Sequence, residues 1–407
     1  MASSWPIAGA PQEAALGSRR VLLAWELGVG YGHSTKLARV GARLRAAGHE
    51  VVAACSRPYF SAPLVEAGIP VIAAPETTPP DYRTIPASAT LTDSLAQAGL
   101  LDPRAMQRSL AGWRAILDRV RPDLVVLDYA PMATLAARNR ALRIQTGVGF
   151  CLPPQELTAF PLLHTLMPPL ARDEDMLAAV NRALAAEGSD GIDRVGALFE
   201  GNDAFVTTFP LLDPYADLRQ RPADGPLMTE PMRERRADAA GIFAYLNGDG
   251  LARPGVLAAL CVLGPMLEIY PPGATPACLA ALRAAGARVY GEPQRLSVVL
   301  ARTRLVLHQG NAGIAADALA AGVPQYVLCQ HVEHYLNGEA IAAAGVARSR
   351  PLFDPRYVPD PTDILAFAED QDAAHVALAA GRIHRALLEQ RPPLEHLVAR
   401  CLALLSA

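Results

Sequence analysis

Apolar positions along this chain follow two alternating rhythms. Short continuous apolar runs, bounded by Gly, Pro or charge, have the pattern of strands buried on both faces. In the first half these are Arg20–Glu26, Glu50–Cys55, Pro70–Ala74, Asp123–Asp128, Ile144–Gly149 and Ala204–Thr208. Between them the spacing lengthens to the helical period. Leu37, Val40, Leu44 and Ala47 share one face of a helix predicted from Ser34 to the terminating Gly48. Further helices are expected over 60–68, 109–120, 173–187 and 191–199. The alternation restarts with strands at 241–246, 267–270, 288–290, 305–307, 325–328 and 346–348, and the tail from Asp363 reads as helix broken at Pro392–Pro393. Strands alternating with helices predict an α/β fold with doubly wound parallel sheets, here in two Rossmann-like domains. We place the domains at residues 1–215 and 241–407, with a Pro-, Asp- and Arg-rich linker over 216–240. The C-terminal helices are expected to pack back on the first domain.

Composition narrows the function. A net charge of −3 gives no electrostatic footprint for nucleic acid. Basic charge is almost all Arg, and Lys36 is the sole lysine. The six cysteines are scattered, without a CxxC pair or zinc-like spacing, which suits a reducing compartment. No run approaches the ~20 apolar residues of a membrane span, and the N-terminus is a poor signal peptide. The expected location is the cytoplasm; oligomeric state is not readable.

Two loops follow strand ends, where open parallel sheets bind ligands. The first, Gly28-Val-Gly-Tyr-Gly-His33, is not the dinucleotide fingerprint, because position 33 is His where GxGxxG needs Gly. Its glycines place His33 at a helix mouth, as either a helix cap or a base. Asp128 ends a strand beside the same cleft and is either a helix cap or the carboxylate that orients His33. The second loop, His308-Gln309-Gly310-Asn311-Ala312-Gly313, opens a small-residue helix that stops at Gly322. Backbone N–H groups and the dipole at such a helix start favour an anion, here a diphosphate. Asp317, one turn on, is placed for ribose hydroxyls. Glu333 and Asn337, four apart on one helix face, are placed for sugar hydroxyls. Diphosphate beside hydroxyls indicates a nucleotide sugar. Asn247, in the loop Asn247-Gly248-Asp249-Gly250, either lines the donor or makes an ordinary turn. His308, His331 and His334 lack a carboxylate to complete a tetrahedral metal site, so no metal and no cofactor is expected.

Residues 305–341 resemble the donor-binding motif of family 1 inverting glycosyltransferases, the UDP-glycosyltransferase-like enzymes of macrolide-glycosyltransferase type. Asp317-Ala-Leu-Ala-Ala-Gly-Val-Pro324 matches that family's Glu-Ala-Leu-x-x-Gly-Val-Pro, with Asp for Glu. Glu333-His334 falls where the family has Asp-Gln or Glu-Gln, and Asn337 matches its Asn. Gly32-His33 matches the family's Gly-His, with Gly48-His-Glu-Val-Val52 closing the helix that follows. The resemblance implies the GT-B architecture, two such domains facing across a cleft. It also implies His33 as base and Asp128 as its support. The family's diphosphate-binding histidine falls on Gln309, so either His308 takes that role or Gln309 serves through its amide. The hydroxyl residue usual near the end of the loop is Ile314 here, and the sugar-contacting Gln is His334.

The function implied is metal-independent, inverting transfer from a nucleotide diphosphate sugar, with UDP or dTDP expected, to a hydroxyl of a small, moderately lipophilic acceptor. Residues 76–110 and 151–200 are expected to shape the acceptor pocket. Two other readings stay open: a sugar-nucleotide epimerase of the same architecture, and a nonenzymatic partner that retains the fold.

Overall fold

The structure, a computed structural model, describes residues 17–76, 88–354 and 356–407. Two six-stranded, all-parallel sheets organise it. The first contains β1 (Arg20–Trp25), β2 (Glu50–Cys55), β3 (Val71–Ala73), β4 (Leu124–Asp128), β5 (Leu142–Gly147) and β6 (Asp203–Val206). Its order is β3-β2-β1-β4-β5-β6. The second contains β7 (Ile242–Tyr245), β8 (Leu267–Tyr270), β9 (Arg288–Val289), β10 (Leu305–His308), β11 (Gln325–Cys329) and β12 (Ala347–Pro351). Its order is β12-β11-β10-β7-β8-β9. In both sheets the order reverses beside the first strand, the topological switch point where ligands bind in such folds. Each expected strand is present, because a strand covered on both faces is mostly apolar: Leu124–Asp128 and Leu305–His308 are buried at every position, with one polar residue each at the strand end.

The first half adds helices α1 (Tyr31–Ala46), α2 (Ala62–Glu66), α3 (Leu91–Gln97), α4 (Pro103–Val120), α5 (Pro131–Ala137) and α6 (Asp173–Ala186). The second half adds α7 (Gly248–Leu251), α8 (Val256–Leu263), α9 (Pro276–Ala284), α10 (Leu296–Val299), α11 (Ala312–Ala321) and α12 (Val332–Ala343). The tail forms α13 (Pro361–Ala368), α14 (Gln371–Gln390) and α15 (Pro393–Ser406). The stretch expected as helix over 191–199 is a 3₁₀ turn, Val195–Phe199. Arg194 is extended before it, and Gly196 lies so near the Gln155 carbonyl that a Cβ there would meet it at 2.6 Å. Close approach to a neighbouring loop has displaced the regular helix. α4 starts six residues before the expected Ser109, at Pro103, capped by the Asp102 side chain on the Arg104 amide.

The last helix crosses between the halves. Leu394, Leu397, Cys401 and Leu405 of α15 join the core formed by Val21, Leu23, Val126, Ile144 and Phe205 of the first sheet. Arg400 clamps Asp203 and Asp224 there. α12 crosses the other way: Val332 is part of the first half's core, and Tyr335 meets His164 edge-on. The two sheets therefore face one another across a cleft spanned by α12.

Candidate functional site

β1 and β4 run side by side, with Trp25 in register with Asp128. Both strands end at the cleft, and α1 leaves the β1 end through the glycine loop. Gly28 has φ +84° and Gly30 φ +99°, conformations that L side chains rarely adopt. The loop returns the third residue of α1, His33, onto the strand ends. Its Nδ1 is 3.1 Å from Asp128 Oδ2. Burial pushes the Asp128 carboxyl up, but Lys36 and His33 more than offset it and hold it below the ordinary carboxylate value. Asp128 is thus an acceptor, so Nδ1 carries the proton and donates, leaving Nε2 with its lone pair. Nε2 lies over Gly28, where an added Cβ would stand 2.5 Å from it. Glycine at 28 keeps that face of the imidazole clear. Trp25 stacks flat beneath the ring, centroids 5.1 Å apart and planes 15° from parallel.

The carboxylate's other oxygen is also held. Lys36 Nζ lies 2.8 Å from Asp128 Oδ1, with the Asp128 side chain fully buried and that of Lys36 10% exposed. Beneath this group Glu26 is fully buried, and its Oε2 accepts from the Met132 and Ala133 amides at 2.8 and 3.2 Å. Burial raises the Glu26 carboxyl to about 7, which those amides and the side chains of Ser109 and Trp113 only partly counter. Glu26 thereby secures the turn that follows Asp128. Lys36, Trp25 and Glu26 escaped the sequence reading. Lys36 was findable, since a residue three positions after His33 shares its helix face; the other two look like core until register is known.

On the opposite wall, α11 begins at Ala312 with no side-chain cap from Asn311. Its first backbone bond runs from Ala315 N to the Asn311 carbonyl. The amides of Ala312, Gly313 and Ile314 therefore have no acceptor within the helix. Gly313 is exposed, and open space lies where its side chain would stand. Gly310 has φ +104°, and a Cβ there would lie 2.7 Å from the His334 carbonyl oxygen, so the loop lies tight against α12.

The predicted donor residues separate into two groups. His308 is turned into the core: Gly310 N–H donates to its Nδ1 at 3.0 Å, and its Nε2 donates to Gln325 Oε1 at 2.9 Å. Burial lowers it to about 4, so it stays neutral. Asn337 is 4% exposed, and its Nδ2 donates to the Gly310 carbonyl at 2.8 Å, which holds the loop. Asn247 caps α7 through Gly250 N and accepts from Gln330 Nε2. Gln309 accepts from Asn247 N and Gln330 Nε2 and donates to Asn311 Oδ1. Gln330, missed in the sequence, is a second link between Asn247 and Gln309.

The second group makes no side-chain hydrogen bond among the described residues. Asp317 is part-exposed and makes no hydrogen bond among the described residues. Burial, and then the nearby Glu230 charge, raise it to about 7. Glu333 is raised to about 7 by burial, against the pull of His33 and Lys36 from the other half. His334 is 2% exposed, with neither ring nitrogen hydrogen-bonded, and lies against His331 with centroids 3.6 Å apart. Burial holds it well below the usual histidine value, as the charges of His331 and His308 would too. His308, His331 and His334 do not form a metal-binding group with other ligands among the described residues.

Thus His33, Asp128, Lys36 and Glu333 converge across the cleft, and the open amide end of α11 lies on the second half's side. Residues 88–93 and 160–173 of the first half pack together and meet α12 through His164 and Tyr335. There Asp93 accepts from the Leu170 and Ala171 amides, and Asp173 binds Thr92 and the Phe160 amide. Leu162, Leu166 and Leu170 remain more than half exposed on that segment. The expected acceptor stretch 77–87 lies outside the described residues. Two surface hollows at the other end of the first sheet, around Asp123 and Arg140, contain none of these groups.

No protein-family model matches the sequence. The chain is 27% identical over 352 residues to an L-demethylnoviosyl transferase of Streptomyces niveus, covering 79% of this chain and 83% of that one. Among solved structures it superposes on the spinosyn rhamnosyltransferase SpnG complexed with spinosyn aglycone. That match has a TM-score of 0.65 and 18% identity and covers 95% of this chain and 100% of that chain. The glycosyltransferase VinC in complex with dTDP gives a TM-score of 0.61 and 16% identity, over 94% of this chain and 100% of that one. The chain has the GT-B fold of glycosyltransferases, along nearly its whole length.

Proposed function

We propose that this chain is a glycosyltransferase that moves a sugar from a nucleotide diphosphate, dTDP or UDP, to a hydroxyl of a small lipophilic acceptor. The observation that carries the reading is the juxtaposition of His33, backed by Asp128, with Glu333 and the open amide end of α11 across one cleft. The transferase of Streptomyces niveus supports the reaction class, and the fold neighbour bound to dTDP supports the nucleotide. The exposed leucines at 162, 166 and 170 support a lipophilic acceptor.

In this reading the acceptor hydroxyl lies at Nε2 of His33. Nε2 takes the proton as the oxygen attacks the anomeric carbon, and Asp128 steadies the imidazolium, a contribution of roughly 10²- to 10⁴-fold. The carbon–oxygen bond to the diphosphate breaks on the opposite face, so the anomeric configuration inverts. The charge that grows on the diphosphate meets the fixed amides of Ala312, Gly313 and Ile314, already oriented by the helix. His308 faces the core and Gln309 is held by Asn247, Gln330 and Asn311, so the backbone amides carry the phosphates. Glu333 and His334 hold sugar hydroxyls, and Asp317 the ribose. Asn337 acts behind them, by fixing Gly310.

The test is nucleoside diphosphate release from dTDP- and UDP-sugars with and without a panel of hydroxylated aromatic and macrolide-type acceptors. Acceptor-dependent release supports transfer. Conversion of the donor without acceptor supports an epimerase, and binding of donor without any turnover supports a nonenzymatic partner.

A further inference from the structure

We infer that Lys36 is a positioning residue of the reaction: by holding the second oxygen of Asp128 it fixes the carboxylate that orients His33, and it sets the pH at which His33 can act as a base. The inference rests on the transferase reading for its catalytic meaning, but not for its physical one. Lys36 is the chain's sole lysine. It lies one helical turn after His33, so the two side chains leave α1 on the same side and reach one carboxylate from two directions. Asp128 then has an oxygen for each, at 3.1 and 2.8 Å. A buried carboxylate bound at one oxygen only would be free to turn about its last bond. Bound at both, it presents Oδ2 to Nδ1 in one orientation, and Nε2 is aimed in one direction.

The charges give the second consequence. With neutral His33, the Lys36–Asp128 pair sums to zero. Other ionisable groups close to this cluster are Glu333 from α12 and Glu26 beneath it, each raised to about 7 by burial, and the thiols Cys55 and Cys151, pushed up by burial and by nearby carboxylate charge, so that both thiols stay uncharged. Removing the ammonium leaves a net negative charge beside the ring. The imidazolium is stabilised, and the ring holds its proton to higher pH. Lys36 therefore offsets the Asp128 charge beside the ring.

The experiment compares wild type, Lys36→Met and Lys36→Arg in two readouts. The first is NMR titration of the His33 ring, which needs no substrate. In Lys36→Met the pH of ring protonation rises by about one unit, as for an acidic neighbour no longer neutralised; in Lys36→Arg it stays at the wild-type value. The second is the pH profile of kcat/KM, whose acidic limb moves up by the same amount in Lys36→Met and returns in Lys36→Arg. An unmoved titration in folded Lys36→Met, or a loss of rate equal at every pH, overturns the inference. If Lys36→Met fails to fold, Lys36→Gln, which keeps a donor to Asp128 and removes the charge, must show the same rise, and an unmoved titration there overturns it. Absence of acceptor-dependent turnover in the wild type overturns the transferase reading and leaves the titration result standing.

Discussion

His33 and Asp128 are paired at the strand ends, and buried ionisable groups lie around them. Glu26 is raised to about 7 by burial, so the folded state binds its proton more tightly than the unfolded chain does. The stability that this proton provides is complete below the ordinary Glu value and is lost as pH rises toward 7. Neutral buried histidines work in the opposite sense. His308 is lowered to about 4 and His331 to about 3, so the stability they provide is present above 6.5 and lost as pH falls. Because the two effects overlap, a difference isolates one of them. Relative to Glu26→Gln, the wild type should lose on the order of 3 kcal/mol between pH 4.5 and 7. Urea denaturation of both proteins at several pH values measures this. A constant difference across the range contradicts the buried, protonated Glu26.

At the scale of elements, the wall proposed to hold the donor depends on one left-handed turn. Gly310→Ala forces a Cβ into backbone 2.7 Å away at φ +104°, and should cost roughly 1–3 kcal/mol while abolishing the thermal shift given by dTDP. Gly313→Ala enters open space inside α11 and should keep or raise stability by up to about 1 kcal/mol, while weakening dTDP through the methyl at the phosphate approach. Thermal melting with and without dTDP reads both; equal nucleotide binding by wild type and Gly310→Ala would sink the assignment. The same loop shows where sequence reading stops. Its strand, its glycines and its helix end at Gly322 are legible because each leaves a local signature. The partner of His308 is not, because Gln325 lies 17 residues away and meets it only through the parallel register of β10 and β11. The spacing of Asn337 puts it on one helix face with Glu333, yet its amide turns to the Gly310 carbonyl, a choice made by backbone geometry that no periodicity encodes. Likewise β1 and β4 are evident as apolar runs, whereas Glu26, at the end of one, becomes a cap for α5 only after the sheet order brings the two together.

At the scale of the whole molecule, the halves are bound by exchange. The last helix belongs in sequence to the second half and in packing to the first. Leu397 is fully buried among first-sheet residues, so Leu397→Ala should cost about 2–5 kcal/mol and lower the melting of the first half. Hydrogen exchange should show β1 and β4 losing protection before β10 and β11. Unchanged protection of β1 would contradict that packing. The same exchange keeps His33 opposite α12, and on that apposition the proposed reaction depends. It is tested most directly by His33→Ala, examined for dTDP-sugar binding by calorimetry and for acceptor-dependent release of dTDP in a single turnover. The account predicts donor affinity within a few-fold of wild type, with transfer reduced by at least roughly 10²-fold. Transfer at the wild-type rate in that variant would contradict it.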